Sequence, residues 1–215
     1  MMRGKFITFE GGDGVGKSTQ ITRLAGRLGA LGIDCVMTRE PGGTEFAERV
    51  RDFILQGGLP SHSALAEALL FSAARVDHVG TLIKPALAAG QWVLCDRFAD
   101  STRAYQGAAG GVDHETLLQL EALTHADCPP DLTLMLDLEP AAGKRRIAER
   151  GADAAGIDPF EGRDLSFQKR LRAAFLQIAA GDTERCHVID AAQAPDDVEQ
   201  AVWSIVAARF ALEGA

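Results

Sequence analysis

The segment Gly11-Gly12-Asp13-Gly14-Val15-Gly16-Lys17-Ser18 decides how this 215-residue chain folds. It fits the pattern G-x-x-x-x-G-K-[ST], and it follows an apolar, β-prone run at 5–10. After it, apolar residues recur at the spacing of one helix face. Between a strand and a helix, glycines let successive backbone N–H groups turn inward, and the helix N-terminus attracts an anion. The segment therefore predicts a phosphate-binding loop.

The end of this loop carries two side chains with a defined use in nucleotide chemistry. We expect Lys17 to place its charge on the β- and γ-phosphates and the Ser18 hydroxyl to be a ligand of Mg²⁺. A glycine-rich turn that matches by accident is the alternative, and the flanking strand and helix argue against it.

Composition limits the class of protein. The net charge of −8 argues against a general nucleic-acid binder, which carries a basic face. No apolar run approaches membrane-spanning length, and no signal peptide precedes the first strand, so we expect a cytoplasmic protein without a membrane partner. The four cysteines lie far apart and favour reduced core thiols.

Strands and helices alternate along the chain. The predicted strands are 5–10, 34–39, 91–96, 132–138 and 186–190. The predicted helices are 17–31, 44–56, 64–89, 113–126, 140–150, 164–180 and 195–213. This alternation predicts an α/β fold, with a parallel five-stranded sheet flanked by helices on both faces and ligands at the carboxyl ends of the strands. With no internal repeat or long linker, residues 1–215 form one predicted domain.

One segment interrupts the alternation. Residues 151–163 hold three glycines and a proline between two arginine-rich helical stretches. A solvated surface loop is one interpretation. A lid at about 150–163 that brings arginines over bound phosphates is the other, and its position after the strand ending near Asp137 favours the lid.

Charged residues follow two of the predicted strands. The block 38–44, Thr-Arg-Glu-Pro-Gly-Gly-Thr, ends the second strand beside the expected ligand crevice. Asp96 and Arg97 end the third strand, where a carboxylate can hold Mg²⁺ and a guanidinium can neutralise charge during phosphoryl transfer. The alternatives are a plain turn for the first block, and a helix cap with a surface arginine for the second.

Two further groups are suited to a nucleoside monophosphate. Phe71 and Arg75 lie one helical turn apart, so a ring for base stacking and a cation for phosphate share one face. Residues 100–107 add hydroxyls, Tyr105 and Gln106, whose amide can read a base edge. A core phenylalanine and a polar helix are the alternatives.

These motifs together resemble bacterial thymidylate kinase. The resemblance rests on Phe9-Glu10 with the loop through Thr19, on Thr38–Thr44, on Asp96-Arg97-Phe98 and on Tyr105-Gln106-Gly107. It extends through 83–87 and 130–133 to nearly the whole chain. It implies a P-loop nucleoside monophosphate kinase that transfers the γ-phosphoryl group of ATP to dTMP with Mg²⁺, giving ADP and dTDP in dTTP synthesis. It also implies a homodimer and an often-cis peptide before Pro41.

The resemblance assigns a role to each site residue. The ATP-binding residues are Gly11, Gly12, Asp13, Gly14, Val15, Gly16, Lys17, Ser18 and Thr19. The dTMP-binding residues are Asp13, Arg39, Phe71, Arg75, Arg97, Thr102, Tyr105 and Gln106. Ser18 and Asp96 are the metal ligands. Asp13 would meet the 3′-hydroxyl, the three arginines the phosphate, Phe71 and Gln106 the thymine, and Tyr105 would exclude a 2′-hydroxyl.

The chain departs from the family at 158–161, which read Asp-Pro-Phe-Glu where the family commonly has Asp-Arg-x-Glu. Because the phosphate-binding loop holds an acid and no arginine, we expect Arg150 or Arg163 to complete the catalytic set with Lys17, Asp96 and Arg97. Two other functions stay open at this point: another nucleoside monophosphate kinase, of guanylate or adenylate type, and a nucleotide-binding switch without an acceptor.

Overall fold

A computed structural model describes residues 3–55, 62–149 and 164–212. The strands are β1 (Phe6–Glu10), β2 (Cys35–Arg39), β3 (Trp92–Asp96), β4 (Leu132–Asp137) and β5 (Cys186–Asp190). They form one parallel sheet in the order β2-β3-β1-β4-β5. The five strands predicted from the sequence are confirmed to within one residue at either end.

Nine α-helices connect or follow the strands in the described ranges. They are α1 (Lys17–Ala30), α2 (Glu45–Leu55), α3 (Ala64–His78), α4 (Lys84–Ala88), α5 (Ala99–Thr102), α6 (His114–Thr124), α7 (Pro140–Glu149), α8 (Leu165–Gly181) and α9 (Pro195–Phe210). None of the helices in these ranges has both the length and the apolar character needed to cross a bilayer.

Two wider turns interrupt this regularity. A π-helical segment, Val79–Ile83, joins α3 to α4, so the predicted helix 64–89 is continuous but not uniform. There the Lys84 N–H donates to the Val79 carbonyl five residues back. Pro85 follows with no N–H to donate, which accounts for the local change of bonding. A second π-helical segment, Arg103–Ala108, follows α5.

The core lies on both faces of the sheet because side chains alternate along each strand. Ile7, Leu94 and Leu134 pack with α1 and α9 on one face. Phe6 and Val93 pack on the other face with the π-helical segment Val79–Ile83 and α4. Helices therefore cover both faces, as predicted, and the carboxyl ends of β1, β2 and β3 meet at one edge.

Candidate active site

A cleft of about 350 Å³ opens at this edge, between the loop after β1, the ends of β2 and β3, α3 and the segment after α5. It brings together all eight residues predicted to bind the acceptor nucleotide: Asp13, Arg39, Phe71, Arg75, Arg97, Thr102, Tyr105 and Gln106. It is also lined by Gly14, Gly16, Lys17, Ser18, Thr19 and Asp96. The loop residues Gly11, Gly12 and Val15 line a smaller neighbouring cavity beneath the loop.

The phosphate-binding loop has the backbone that its glycines predict. Gly11, Gly14 and Gly16 have φ values of 127°, 74° and 97°, a region that side chains with a Cβ seldom adopt. Gly16 is the N-cap of α1. Lys17 follows it and donates to the Gly12 carbonyl at 2.8 Å. Burial lowers the pKa of Lys17, and the neighbouring charge of Arg97 lowers it further.

The loop is held from one side by α7 through a contact between two backbones. A Cβ added at Gly14 would lie 2.4 Å from the carbonyl oxygen of Gly143, and one added at Gly143 would lie 2.5 Å from that of Asp13. Only glycine at both positions allows α7 to approach so closely. Helix α7 therefore fixes the position of the loop.

Ser18 and Asp96 meet across the cleft. Ser18 Oγ donates to Asp96 Oδ2 at 2.9 Å, joining the start of α1 to the end of β3. One hydroxyl and one carboxylate are the oxygen ligands that Mg²⁺ takes from protein when phosphates supply the others. The described residues contain no cluster of three or more His, Cys, Asp or Glu able to hold a metal. The oxygen pair fits a nucleotide-bound magnesium ion.

Arg97 joins the loop to β3. It donates to Asp13 Oδ1 at 2.5 Å and to the Gly11 carbonyl at 3.0 Å, and its guanidinium lies 5.2 Å from the centre of the Tyr105 ring. Its φ of 68° is unusual for a residue with a side chain. Among the described residues no donor meets the buried Oδ2 of Asp13.

Glu10, at the end of β1, holds the backbone that follows Arg97 in place. Its Oε1 accepts from the N–H groups of Phe98 and Ser101 at 2.7 and 3.2 Å, and its Oε2 accepts from the Ser101 hydroxyl at 2.6 Å. Burial raises the pKa of Glu10 to about 7, and Asp100 contributes in the same direction. From the sequence alone, Glu10 has no role beyond its place in the motif.

A second arginine is fixed where α3 faces the end of β2. Arg75 donates through Nε to Glu40 Oε2 at 2.7 Å and through Nη2 to the Thr102 hydroxyl at 3.0 Å. The other oxygen of Glu40 lies 3.0 Å from Nδ1 of His78. Burial favours the neutral acid, but Arg75 and His78 outweigh it and lower the pKa of Glu40. The Glu40–Pro41 peptide is cis.

The remaining residues complete a pocket beside this arginine. Phe71 is half-buried on α3, one turn before Arg75. Tyr105 and Gln106 are buried in the second π-helical segment. Gln106 donates through Nε2 to Glu67 Oε2 at 3.1 Å.

One further residue that lines the cleft, Arg51, and one that supports a cleft residue, Glu67, are not predicted from the sequence, although a helical signal marks each. Arg51 lines the cleft and donates to the Pro41 carbonyl at 3.1 Å. It lies between Ala47 and Ile54 on the apolar side of α2, where a charge is unexpected. Glu67 precedes Phe71 by one turn on the same face of α3.

Arg39 lies at the rim of the cleft, where its Nη2 donates to both oxygens of Glu48 at 3.2 and 3.0 Å. Arg150, Arg163 and the predicted lid at about 150–163 lie outside the described residues.

A phosphate-binding loop at the centre of a parallel sheet, facing fixed arginines and an aromatic–amide pocket, defines a P-loop kinase of the nucleoside monophosphate type. The family model described as thymidylate kinase matches residues 9–202. The chain belongs to the thymidylate kinase family, whose members are phosphotransferases.

Individual relatives support the same family assignment. The chain is 52% identical over 209 residues to a thymidylate kinase of Bradyrhizobium sp. strain BTAi1, covering 97% of this chain and 92% of that protein. It is 53% identical over 210 residues to one of Rhodopseudomonas palustris strain BisB18, covering 97% and 90%. The crystal structure of thymidylate kinase from Ehrlichia chaffeensis superposes with a TM-score of 0.78 at 35% identity, covering 95% of this chain and 99% of that one.

Proposed function

We propose that this chain transfers the γ-phosphoryl group of ATP to dTMP, giving ADP and dTDP for dTTP synthesis. The observation that carries the proposal is that the loop lysine and all eight residues expected to hold the acceptor line the same cleft. A nucleotide-binding switch would have no use for this second half of the cleft, so an enzyme with an acceptor is favoured over that alternative.

On the donor side, residues 11–19 bind the phosphates of ATP. Backbone N–H groups and the N-terminus of α1 supply most of the attraction, and Lys17 adds its charge. Ser18 and Asp96 hold Mg²⁺, which neutralises phosphate charge when bound. The two oxygens already lie within hydrogen-bond distance of each other, which suits ligands of a common ion.

On the acceptor side, Arg39, Arg75 and Arg97 bind the phosphate of dTMP. Glu40 and Thr102 leave part of the Arg75 guanidinium for a ligand, because they occupy only Nε and Nη2. Asp13 Oδ2, buried and without a donor among the described residues, is suited to accept from the 3′-hydroxyl.

The base and sugar are recognised beside these arginines. Phe71 stacks on the thymine and Gln106 forms hydrogen bonds with its edge. Tyr105 is packed against the Arg97 guanidinium, and in that place it crowds a 2′-hydroxyl. Thr102 completes the set through its hydrogen bond to Arg75.

The reaction requires alignment and charge neutralisation, with no covalent enzyme intermediate. An oxygen of the acceptor phosphate attacks the γ-phosphorus as ADP leaves, so no residue has to remove a proton. Lys17 and Arg97 stabilise the charge that spreads over the transferred group. We also propose Arg150 or Arg163, in a lid at about 150–163, as the residue that completes this set.

A panel of acceptors tests the proposal directly. With ATP and Mg²⁺, we expect turnover of dTMP to exceed that of dUMP, GMP, AMP and CMP, measured as ADP release. Preference for a purine monophosphate would assign the chain to a guanylate- or adenylate-type activity. ATP hydrolysis that no acceptor accelerates would favour a switch.

The lid proposal has its own test. We expect alanine at both Arg150 and Arg163 to lower turnover at saturating substrates by about 100-fold. The reason is that the transferred phosphoryl group would lose the arginine cation that stabilises its negative charge. Unchanged turnover in the double variant would refute it. Arg146→Ala, on α7 just before this segment, is the control.

We further propose a homodimeric cytoplasmic protein in which residues 1–215 form one domain. Large apolar side chains are exposed on three adjoining helices, α2, α3 and α6: Phe46, Phe53, Leu65, Leu69, Val76, Leu118 and Leu123. Leu65, Leu69 and Val76 follow one face of α3. Because α3 packs against both α2 and α6, these side chains are candidates for a shared apolar patch, and such patches are typical of protein interfaces.

A further inference from the structure

A buried carboxylate lies against the amide expected to read the base. Glu67 Oε2 accepts from Gln106 Nε2 at 3.1 Å, and Glu67 Oε1 lies 2.9 Å from Nε2 of His62. Glu67 is 8% exposed and Gln106 is 2% exposed. Protein groups, and not bulk water, therefore set the orientation of both side chains.

This contact selects one of two orientations of the Gln106 amide. An amide side chain has a donor end and an acceptor end of nearly equal size, so it can turn over at little steric cost. A carboxylate offers only acceptors. Glu67 therefore holds the NH₂ end of Gln106, and the Oε1 end is the acceptor left for a ligand.

Thymine-type bases and cytosine present opposite patterns of donors and acceptors to such an amide. Thymine and uracil present an N3–H donor beside the acceptor O4, whereas cytosine presents the N3 acceptor beside a donor amino group. An amide free to turn can match either edge. An amide whose acceptor is fixed toward N3 matches thymine or uracil, and it meets only a lone pair in cytosine.

Glu67 lies beside the acceptor half of the cleft and reaches it through Gln106. Glu67, Phe71 and Arg75 follow one another at four-residue intervals on α3, so they share one face of that helix. Phe71 and Arg75 line the cleft. The carboxylate thus lies on the face that carries the proposed stacking ring and phosphate ligand.

We propose that Glu67 is a positioning residue for base selection, which fixes the Gln106 amide so that the site accepts thymine-type bases and rejects cytosine. This rests on the proposed function, because it presupposes a pyrimidine monophosphate in the cleft. Glu67 acts through Gln106 and touches no reacting atom.

The test is the variant Glu67→Gln, which keeps the shape of the side chain. Its amide can accept from Gln106 or donate to it, so the amide of Gln106 becomes free to turn. We expect the ratio of kcat/KM for dTMP over dCMP to fall by about tenfold or more. The ratio for dTMP over dUMP should stay within about twofold, because both bases present the same edge.

The matched control is Glu115→Gln, an exposed glutamate in the first turn of α6, which should leave both ratios unchanged. Glu67→Asp keeps the charge but shortens the reach, and it should also lower the dTMP-to-dCMP ratio. In a Gln106→Leu protein, Glu67→Gln should have no further effect on that ratio. Melting temperatures identify any variant that is poorly folded.

Two results would overturn the inference. One is an equal loss of activity toward dTMP, dUMP and dCMP in Glu67→Gln, which a merely structural role predicts. The other is a fall in the dTMP-to-dCMP ratio that persists when Gln106 is leucine. A wild-type protein that phosphorylates no pyrimidine monophosphate contradicts the proposed function itself, and is seen before any variant is made.

Discussion

At the scale of single residues, the function depends on charges kept out of water. Lys17 is 8% exposed and rests on main-chain carbonyls of its own loop. Its ammonium group is therefore held in place within the loop, so the proposed phosphoryl transfer would need little reorganisation of this charge.

We expect Lys17→Ala to lower kcat at saturating ATP and dTMP by two or more orders of magnitude, or about 3 kcal/mol or more. The reason is that, in the proposed reaction, the lysine charge interacts most strongly with the transition state. Steady-state kinetics at several ATP concentrations separates this from a simple loss of affinity. A normal kcat in the variant would contradict the assignment.

The buried carboxyl of Glu10 gives a prediction about stability and pH. Its pKa is raised from 4.5 to about 7 in the folded protein by burial and by Asp100, against the opposing effects of the Ser101 hydrogen bond and of Arg97. The folded state then holds a proton that the unfolded state releases above pH 4.5. The stability this provides is present below pH 4.5, and it is lost as the pH rises through 7.

Glu10→Gln removes this titration and keeps the hydrogen bonds, because its oxygen can accept from the two N–H groups and its NH₂ can donate to Ser101. We expect wild type to lose up to about 3 kcal/mol of unfolding free energy relative to this variant between pH 4.5 and 8. Urea unfolding across that range measures the difference. Parallel stability curves would show that Glu10 does not titrate there.

At the scale of elements, close contact between α7 and the loop after β1 positions the half of the site that is proposed to bind ATP. We expect Gly143→Ala to destabilise the fold by about 1–3 kcal/mol, and to lower kcat/KM for ATP by about tenfold, because its Cβ would displace Asp13. Thermal unfolding and ATP-dependent kinetics measure the two effects.

Gly26→Ala is the matched control for that variant. Gly26 lies in α1, and apart from the backbone of its own helix and its chain neighbours, no atom would lie within 4 Å of an added Cβ. It should leave kcat/KM unchanged and stabilise the protein by about 0.5–1 kcal/mol through helix propensity. Equal effects of the two alanines would show that the α7 contact has no special importance.

The elements themselves were largely predictable from the sequence. Apolar runs bounded by turns fixed the strands, and the loop motif placed the first strand and helix. The π-helical segments were not predictable in detail, since Pro85 signals a break in bonding but not its form. Glu67 was missed because a single acid on a helix usually faces solvent, and only the packing of α3 against the segment holding Gln106 makes it buried.

At the scale of the whole molecule, the helices on the two sides of the sheet differ in how many large apolar side chains they leave exposed. Helices α1 and α9 cover one face and bury their apolar side chains. On the other side, α2, α3 and α6 keep large apolar side chains exposed, among them Leu69 at 51% and Leu123 at 80%. The proposed homodimer would cover this second surface.

We expect the double variant Leu69→Glu and Leu123→Glu to weaken self-association at least about a hundredfold, or about 3 kcal/mol, because two charges would enter an apolar interface. Size-exclusion chromatography with light scattering reports the mass. Leu31→Glu, after α1 on the opposite side of the sheet, should leave the mass unchanged. A wild-type monomer at micromolar concentration would contradict the proposed interface.

The regular spacing of Glu67, Phe71 and Arg75 has a consequence for how this chain can vary. The three residues span about 12 Å along one helix axis. The helix therefore fixes the distances between the groups that are proposed to recognise the acceptor nucleotide. Inserting or deleting one residue between them would rotate everything beyond it by about 100° and misplace several recognition groups together. A point substitution can change one of these side chains and leave the others in place. An insertion or deletion between Glu67 and Arg75 cannot.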